Sequence, residues 1–281
     1  MTAILPRREA FFLPGGATAG GRFCPRFCLL TRAEAPRGTV IFVHAFAEEM
    51  NKSRRMVALA AAAFAGCGWN TLQVDLTGCG DSDGDFGDAS WAAWKGDLQD
   101  AWAWAAEHLS GPLVLWSLRS GALVLSDWLR ASGVVAPLLL WQPVANGRQH
   151  LTQFLRLKAA GEMLADADAK ASMEAIRASL QAGDAVEIAG YSLSAALASG
   201  MEAATLSLPA AYGAPVAAFE VGPPDRTEVS PALRVLVERW SKAGVQVRAE
   251  AVAGPAFWQT QEIELCPGLI EASVRVLEDF S

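Results

Sequence analysis

The sequence predicts an α/β protein built on a mostly parallel sheet, with helices on both faces and a helical cap inserted late in the chain. Three observations carry this. Continuous apolar runs, of the kind found in strands buried on both faces, alternate with amphipathic stretches of helical length. The alternation recurs at a spacing that requires right-handed crossovers between parallel strands. It stops between Gly147 and about Ala214 and then resumes. With 281 residues, 52% of them hydrophobic, and 25 Gly and 14 Pro, the chain holds enough apolar material for one large core with punctuated loops.

In chain order, "AFFLPG" and "RFCPRFCLLTRA" read as an opening antiparallel hairpin joined by the Gly-rich "GGATAGG". "GTVIFVHAF" (38–46) is a buried strand, and "KSRRMVALAAAAFAGCG" after it is helical, with Asn51 as a reasonable N-cap. "WNTLQVDL" precedes the helix "WAAWKGDLQDAWAWAAEHL", whose Trp91, Trp94, Trp102 and Trp104 are expected to pack it against the sheet and nearby loops. "PLVLWS", "GALVLSDWLRASG" and "VAPLLLWQPV" continue the rhythm as strand, helix and strand. The core is therefore expected over 1–146 and 215–281. The cap over 147–214 is expected to hold one or two helices, a turn at "IAGYSLSAAL" and a third helical piece. "PVAAFEVG", "SPALRVLVERWSKAG", "VQVRAEAV" and "LIEASVRVLEDF" complete the core.

Several functions are disfavoured by composition. A net charge of -7 with no basic stripe argues against nucleic acid as a partner. Arg7, Arg8 and Glu9 stand where a signal peptide needs its apolar run, and no apolar window reaches the ~18 residues of a membrane span. A soluble, cytoplasmic protein is expected. The five cysteines are odd in number and scattered, so no disulfide framework is expected, and Cys24 and Cys28 of "FCPRFC" read as small core residues. No metal site and no cofactor are expected.

"PLVLWSLRSGALVLSDWL" (112–129) has an apolar strand, a tight polar corner and an amphipathic helix, the layout that carries the nucleophile in many hydrolases. Several signatures resemble the α/β-hydrolase fold over nearly the whole chain. "VIFVHAF" is similar to its His-Gly-aromatic oxyanion strand, with Ala45 in place of glycine. "VDLTGCGDSDG" is similar to its Asp-x-Arg-Gly-x-Gly-x-Ser loop, with Thr77 in place of arginine. "FEVGPPD" resembles the strand whose following acid completes the triad, which would be Asp225. In the elbow pattern Gly-x-Ser-x-Gly, Gly121 falls on the last glycine, Ser117 on the first and Arg119 on the nucleophile, with Ser120 displaced by one position. The triad histidine should follow the last strand, where Pro255, Ala256, Phe257 and Trp258 stand instead. Losing a triad serine or histidine costs around 10⁶-fold in turnover, so ordinary serine-hydrolase chemistry is disfavoured.

"FAEEMNKSRRMV", "GCGDSDGDFGDASW", "LWSLRSGAL", "LLLWQPVANGRQHLTQFLRLK" and "GPAFW" together resemble the exosortase A system-associated hydrolase 2 family. These bacterial proteins accompany exopolysaccharide biosynthesis and the sorting of PEP-CTERM proteins. The resemblance implies arginine at the elbow and Phe-Trp in place of the histidine as family features, with glycine more usual at Ser117. It also implies exopolysaccharide or exosortase-system proteins as partners.

Arg119 at a helix N-terminus, beside the backbone N–H groups of Phe46 and Ser120, would form an anion-binding arrangement. Alternatively an internal carboxylate holds it, with Glu48, Glu49 and Asp225 as candidates. Lys52, Arg54 and Arg55 either extend a positive entrance or are solvated. His44, Ser117, His150, Phe257 and Trp258 are expected around the pocket, and of the three histidines only His150 is placed to reach the elbow. Three functions follow: a hydrolase or acyl transferase acting on an ester or acyl-linked intermediate, with Ser120 as the serine to test and Asp225 or Glu48 as base; a non-catalytic protein binding a small anion at Arg119; and a scaffold with a filled pocket.

Overall fold

The computed structural model describes residues 6–14, 24–163 and 169–280, so the "GGATAGG" connection lies outside the described residues. Strands β1 (Arg7–Leu13) and β2 (Arg26–Arg32) form the antiparallel hairpin expected at the start. They extend a parallel sheet of β3 (Gly38–Val43), β4 (Trp69–Val74), β5 (Leu113–Leu118), β6 (Leu138–Trp141), β9 (Val216–Gly222) and β10 (Val247–Ala253). The order across the sheet is β1-β2-β4-β3-β5-β6-β9-β10. Every residue of β3 and of β6 is buried, which is why both read as unbroken apolar runs rather than alternating ones.

Helices α1 (Glu48–Gly66) and α8 (Pro267–Asp279) cover one face. Met56, Phe64, Leu269 and Val276 pack there against Trp116, Trp141 and Phe219. Helices α2 (Trp91–His108), α3 (Gly121–Ser132) and α7 (Pro231–Lys242) cover the other face through Trp94, Leu98, Leu123 and Leu236. This is the α/β-hydrolase fold. Trp91 and Trp94 are buried in the α2 interface and donate from Nε1 to Asp127 Oδ2 (2.8 Å) and the Thr77 carbonyl (3.0 Å).

Two local departures from the sequence reading bear on the site. Asn51 is not an N-cap: α1 begins three residues earlier, at Glu48, behind Ala47, whose φ of 49° turns the chain sharply. That early start carries Glu48 and Glu49 into the first helical turn, where the helix dipole favours acids. At Thr77, where the resembled loop carries arginine, a buried ion pair lies close by. Asp97 on α2 accepts from the Thr77 N–H (2.6 Å) and hydroxyl (2.7 Å), and its guanidinium comes from Arg26 on β2.

Between β6 and β9 run α4 (Gly147–Met163), α5 (Ala169–Ala182), the hairpin β7 (Val186–Ile188) and β8 (Tyr191–Leu193), and α6 (Ala195–Ala203). The segment read as a turn is thus a two-stranded hairpin. The two ends of this segment are tied to each other and to α3. Asn146 bridges Thr205, and Ser126 on α3 donates to the Ser207 carbonyl at 2.6 Å while accepting from the Ser207 N–H at 2.9 Å. Among the described residues no helix is long and apolar enough to cross a membrane.

Candidate functional site

The corner between β5 and α3 has the backbone of a nucleophile elbow. Arg119 sits at its apex with φ of 55°, a conformation that costs a side-chain-bearing residue energy and survives because its surroundings over-determine it. Its N–H donates to the Trp141 carbonyl (2.9 Å), and its own carbonyl accepts from Ala122 and Val144 (3.2 Å each). Gly121 lets the helix come this close to β3, since a Cβ there would lie 2.5 Å from the Val43 carbonyl oxygen and 2.6 Å from that of His44.

Glu49 is the carboxylate that holds Arg119. Nε of Arg119 donates to Glu49 Oε1 at 3.0 Å, and Nη2 lies 2.9 Å from the same oxygen in the ion pair. On its other side the guanidinium lies over the Trp258 ring, 5.4 Å from the centroid, a cation–π contact. Trp258 thereby gives the charge a polarisable wall. Burial pushes the Glu49 carboxyl above the usual carboxylate range, although Arg119 pulls the other way.

The pair faces a cleft of about 1030 Å³, counted with the solvent at its mouth. Aromatic and apolar walls come from Phe46, Phe154, Leu157, Tyr191 and Trp258, and polar groups from Glu48, Glu49, Lys52, Gln153 and His150. Glu48 lies at the rim, its Oε2 accepting from the Tyr191 hydroxyl (2.9 Å). Among the described residues the backbone N–H groups of Phe46 and Ser120 have no backbone acceptor, as an oxyanion site requires. Lys52 reaches across to the Gln259 carbonyl at 3.5 Å, whereas Arg54 turns away to Asp75 and Arg55 is exposed.

His150 on α4 also reaches the cleft. Its Nε2 stands 3.9 Å from Glu49 Oε2, and both atoms are buried without a hydrogen-bond partner. Burial, with Arg119 adding to it, pushes the imidazole down to about 3, so the ring is neutral in the folded protein. Below its ordinary value of 6.5 the unfolded chain takes up a proton here that the folded chain refuses. Stability from this group is therefore full above about pH 6.5 and is lost as the pH falls towards 3, by about 2 kcal/mol between pH ~8 and ~5. Urea unfolding at those two pH values should show His150→Gln losing about 2 kcal/mol less than the parent; equal losses would refute the assignment.

Several residues expected at the site lie elsewhere. His44 is walled off: its Nδ1–H donates to the Ala45 carbonyl (2.7 Å) and its Nε2 accepts from the Leu76 N–H (3.2 Å), which fixes a neutral tautomer facing a separate small cavity with Arg54 and Asp75. Ser117 is fully buried beneath the elbow, and Phe257 is fully buried between Trp141 and Trp258. Asp225 is exposed in the turn after β9 and does not line the cleft. The buried acid of that strand is Glu220, which accepts from the Ser230 hydroxyl (2.6 Å) and backbone (2.5 Å) and from Arg226, and lines a second hollow behind Arg119. Gln153, Phe154 and Leu157 escaped the sequence reading, yet with His150 they fall at i, i+3, i+4 and i+7 on one face of α4, a spacing visible in "HLTQFLRL".

A family model described as serine aminopeptidase, S33, matches residues 34–196, more than half of the chain. The chain belongs to the S33 serine aminopeptidase family. The match spans the corner at Arg119 and runs as far as the start of α6. Among solved structures, the S33-family chain is similar to ferulic-acid-bound Est1E from Butyrivibrio proteoclasticus, with TM-score 0.68 and 15% identity over 96% of this chain and 99% of that one. It is also similar to a thermostable carboxyl esterase from Bacillus coagulans in complex with glycerol, with TM-score 0.63 and 13% identity over 97% and 98%. At these identities the likeness speaks to the fold. No curated protein matches.

Proposed function

We propose that the protein binds a small molecule bearing an uncharged acyl or ester group in the cleft over the elbow, and does so without forming an acyl-enzyme there. One observation carries this reading: the side chain at the elbow apex is a guanidinium already closed by Glu49 and Trp258. A guanidinium is no nucleophile, and one already neutralised by an internal carboxylate favours a neutral ligand over a free anion. Aromatic walls and the two N–H groups that lack a backbone acceptor among the described residues suit an acyl chain and its carbonyl. Residues 147–214 serve as the cap that roofs the cleft.

N-(4-nitrophenyl)butyramide and butyrate separate the readings by titration calorimetry. The neutral amide is expected to bind and butyrate to bind more weakly; the reverse order would favour the anion site. A fluorophosphonate probe is expected to leave the intact mass unchanged, and an adduct at Ser120 or Ser117 would refute the non-acylating elbow. The resemblance in "FAEEMNKSRRMV" and "GPAFW" supports a cytoplasmic role beside the exosortase and exopolysaccharide machinery. Deletion of the gene should then change exopolysaccharide output, and unchanged output would remove that setting.

A further inference from the structure

We infer that Glu49 and His150 together hold and activate a water molecule, making the cleft a site of direct, non-covalent ester hydrolysis. This rests on the reading that an ester binds over the elbow. Glu49 Oε2 and His150 Nε2 are buried polar atoms with no partner, a state that costs free energy unless some group satisfies them both. Their separation of 3.9 Å is too long for a direct hydrogen bond. It suits a bridging oxygen, because two contacts of about 2.8 Å meeting at one atom span that gap at close to a right angle.

The chemistry of the two groups fits the task. Arg119 occupies Oε1 of Glu49, so the carboxylate is anchored by one oxygen and presents the other as a base. Burial makes that base stronger than a solvated glutamate. The imidazole is neutral in the folded protein, so it can accept from or donate to the same water without competing for its charge. Both side chains line the cleft with Phe46, whose N–H, like that of Ser120 beneath the cleft floor, has no backbone acceptor among the described residues.

In the step itself, the water oxygen bonds to the ester carbonyl carbon while one of its protons passes to Glu49 Oε2. The carbonyl π pair moves onto oxygen, where the two backbone N–H groups receive it. On collapse the bond to the alkoxy group breaks, and the leaving oxygen takes the proton back from Glu49. The products are the carboxylic acid, which ionises to solvent, and the alcohol. One water is consumed, and no covalent intermediate with the protein is formed.

The test uses 4-nitrophenyl butyrate as substrate and N-(4-nitrophenyl)butyramide as binding probe. The parent protein should hydrolyse the ester, and Glu49→Gln should lower kcat by at least about 100-fold, the low end of what a general base supplies, with kcat read at saturating ester so that a change in binding does not enter. Glu49→Asp keeps a carboxylate for Arg119 but draws it back by one methylene, and should lower kcat at least about tenfold if Oε2 must reach the water. Circular dichroism checks that both variants fold. In H₂¹⁸O, butyrate from the first turnover should carry label. Unlabelled butyrate in that turnover, with label left on Glu49, would make Glu49 a nucleophile and overturn the inference. Unchanged kcat in folded Glu49→Gln, or amide binding without ester hydrolysis in the parent, would also overturn it while leaving the binding reading intact. Absence of amide binding would remove both.

Discussion

Alanine in place of Asp97 is expected to cost about 3–5 kcal/mol, the usual penalty for breaking one side of a buried ion pair. Arg26 and Asp97 are almost wholly enclosed, with side chains 6% and 2% exposed. Removing the carboxylate leaves a guanidinium that cannot shed its proton, and it also strips the Thr77 N–H and hydroxyl of their acceptor. Urea unfolding of Asp97→Ala should show this as a shift in midpoint at constant m. Replacing both partners by apolar residues, Arg26→Met with Asp97→Leu, should recover the part of the loss that comes from the unpaired guanidinium, while the share from Thr77, still without its acceptor, remains. A single mutant that loses less than about 1 kcal/mol would show that the pair is solvated in practice. The loop it holds runs into the 86–88 turn, where Phe86 packs against Phe46 and Tyr191, so damage here should reach the cleft.

Glu49→Ala is expected to cost about 2–3 kcal/mol, less than a fully enclosed pair because Glu49 and Arg119 are each roughly a fifth exposed. The two halves of this pair should respond differently to pH. Arg119 stays charged when Glu49 is removed, so that penalty persists at every accessible pH. Glu49 can neutralise itself when Arg119 is removed, because burial already raises its carboxyl and losing the cation raises it further. A glutamate whose folded value lies above its unfolded value favours the folded state when protonated, so the cost of Arg119→Ala should shrink as the pH falls through that raised value. Stability measured for both variants at pH ~7.5 and ~5 decides it: parallel losses would contradict the assignment.

Much of the fold is legible in the sequence because strands buried on both faces admit little but apolar residues. The runs at 38–46, 113–118 and 138–141 announce themselves, and Gly133 and the Ser230–Pro231 pair mark helix ends as such residues should. The β7–β8 hairpin escaped because three-residue strands carry too short a pattern to separate from a turn. The site was legible only in part. Its apex could be read from register, but the partner of Arg119 lies 70 residues away, and local pattern leaves Glu48, Glu49 and Asp225 equivalent. What separates them is three-dimensional: the sharp turn at Ala47 starts α1 early and aims Glu49 inward, Glu48 to the rim, while Asp225 stays outside. The Arg26–Asp97 pair has no local signal at all, since its halves are 71 residues apart on a strand and a helix.

The packing of Phe257 and Trp258 bears on how this chain can change over generations. A serine placed at position 119 would lose the charge that Glu49 and Trp258 enclose and would find an indole, not an imidazole, beside it. Histidine at 257 would be walled into the core against Trp141, where burial favours a neutral, inaccessible ring. Building a serine triad into this corner thus demands replacements at several positions at once. The guanidinium leaves the cleft walls open to substitution while its own position tolerates little change.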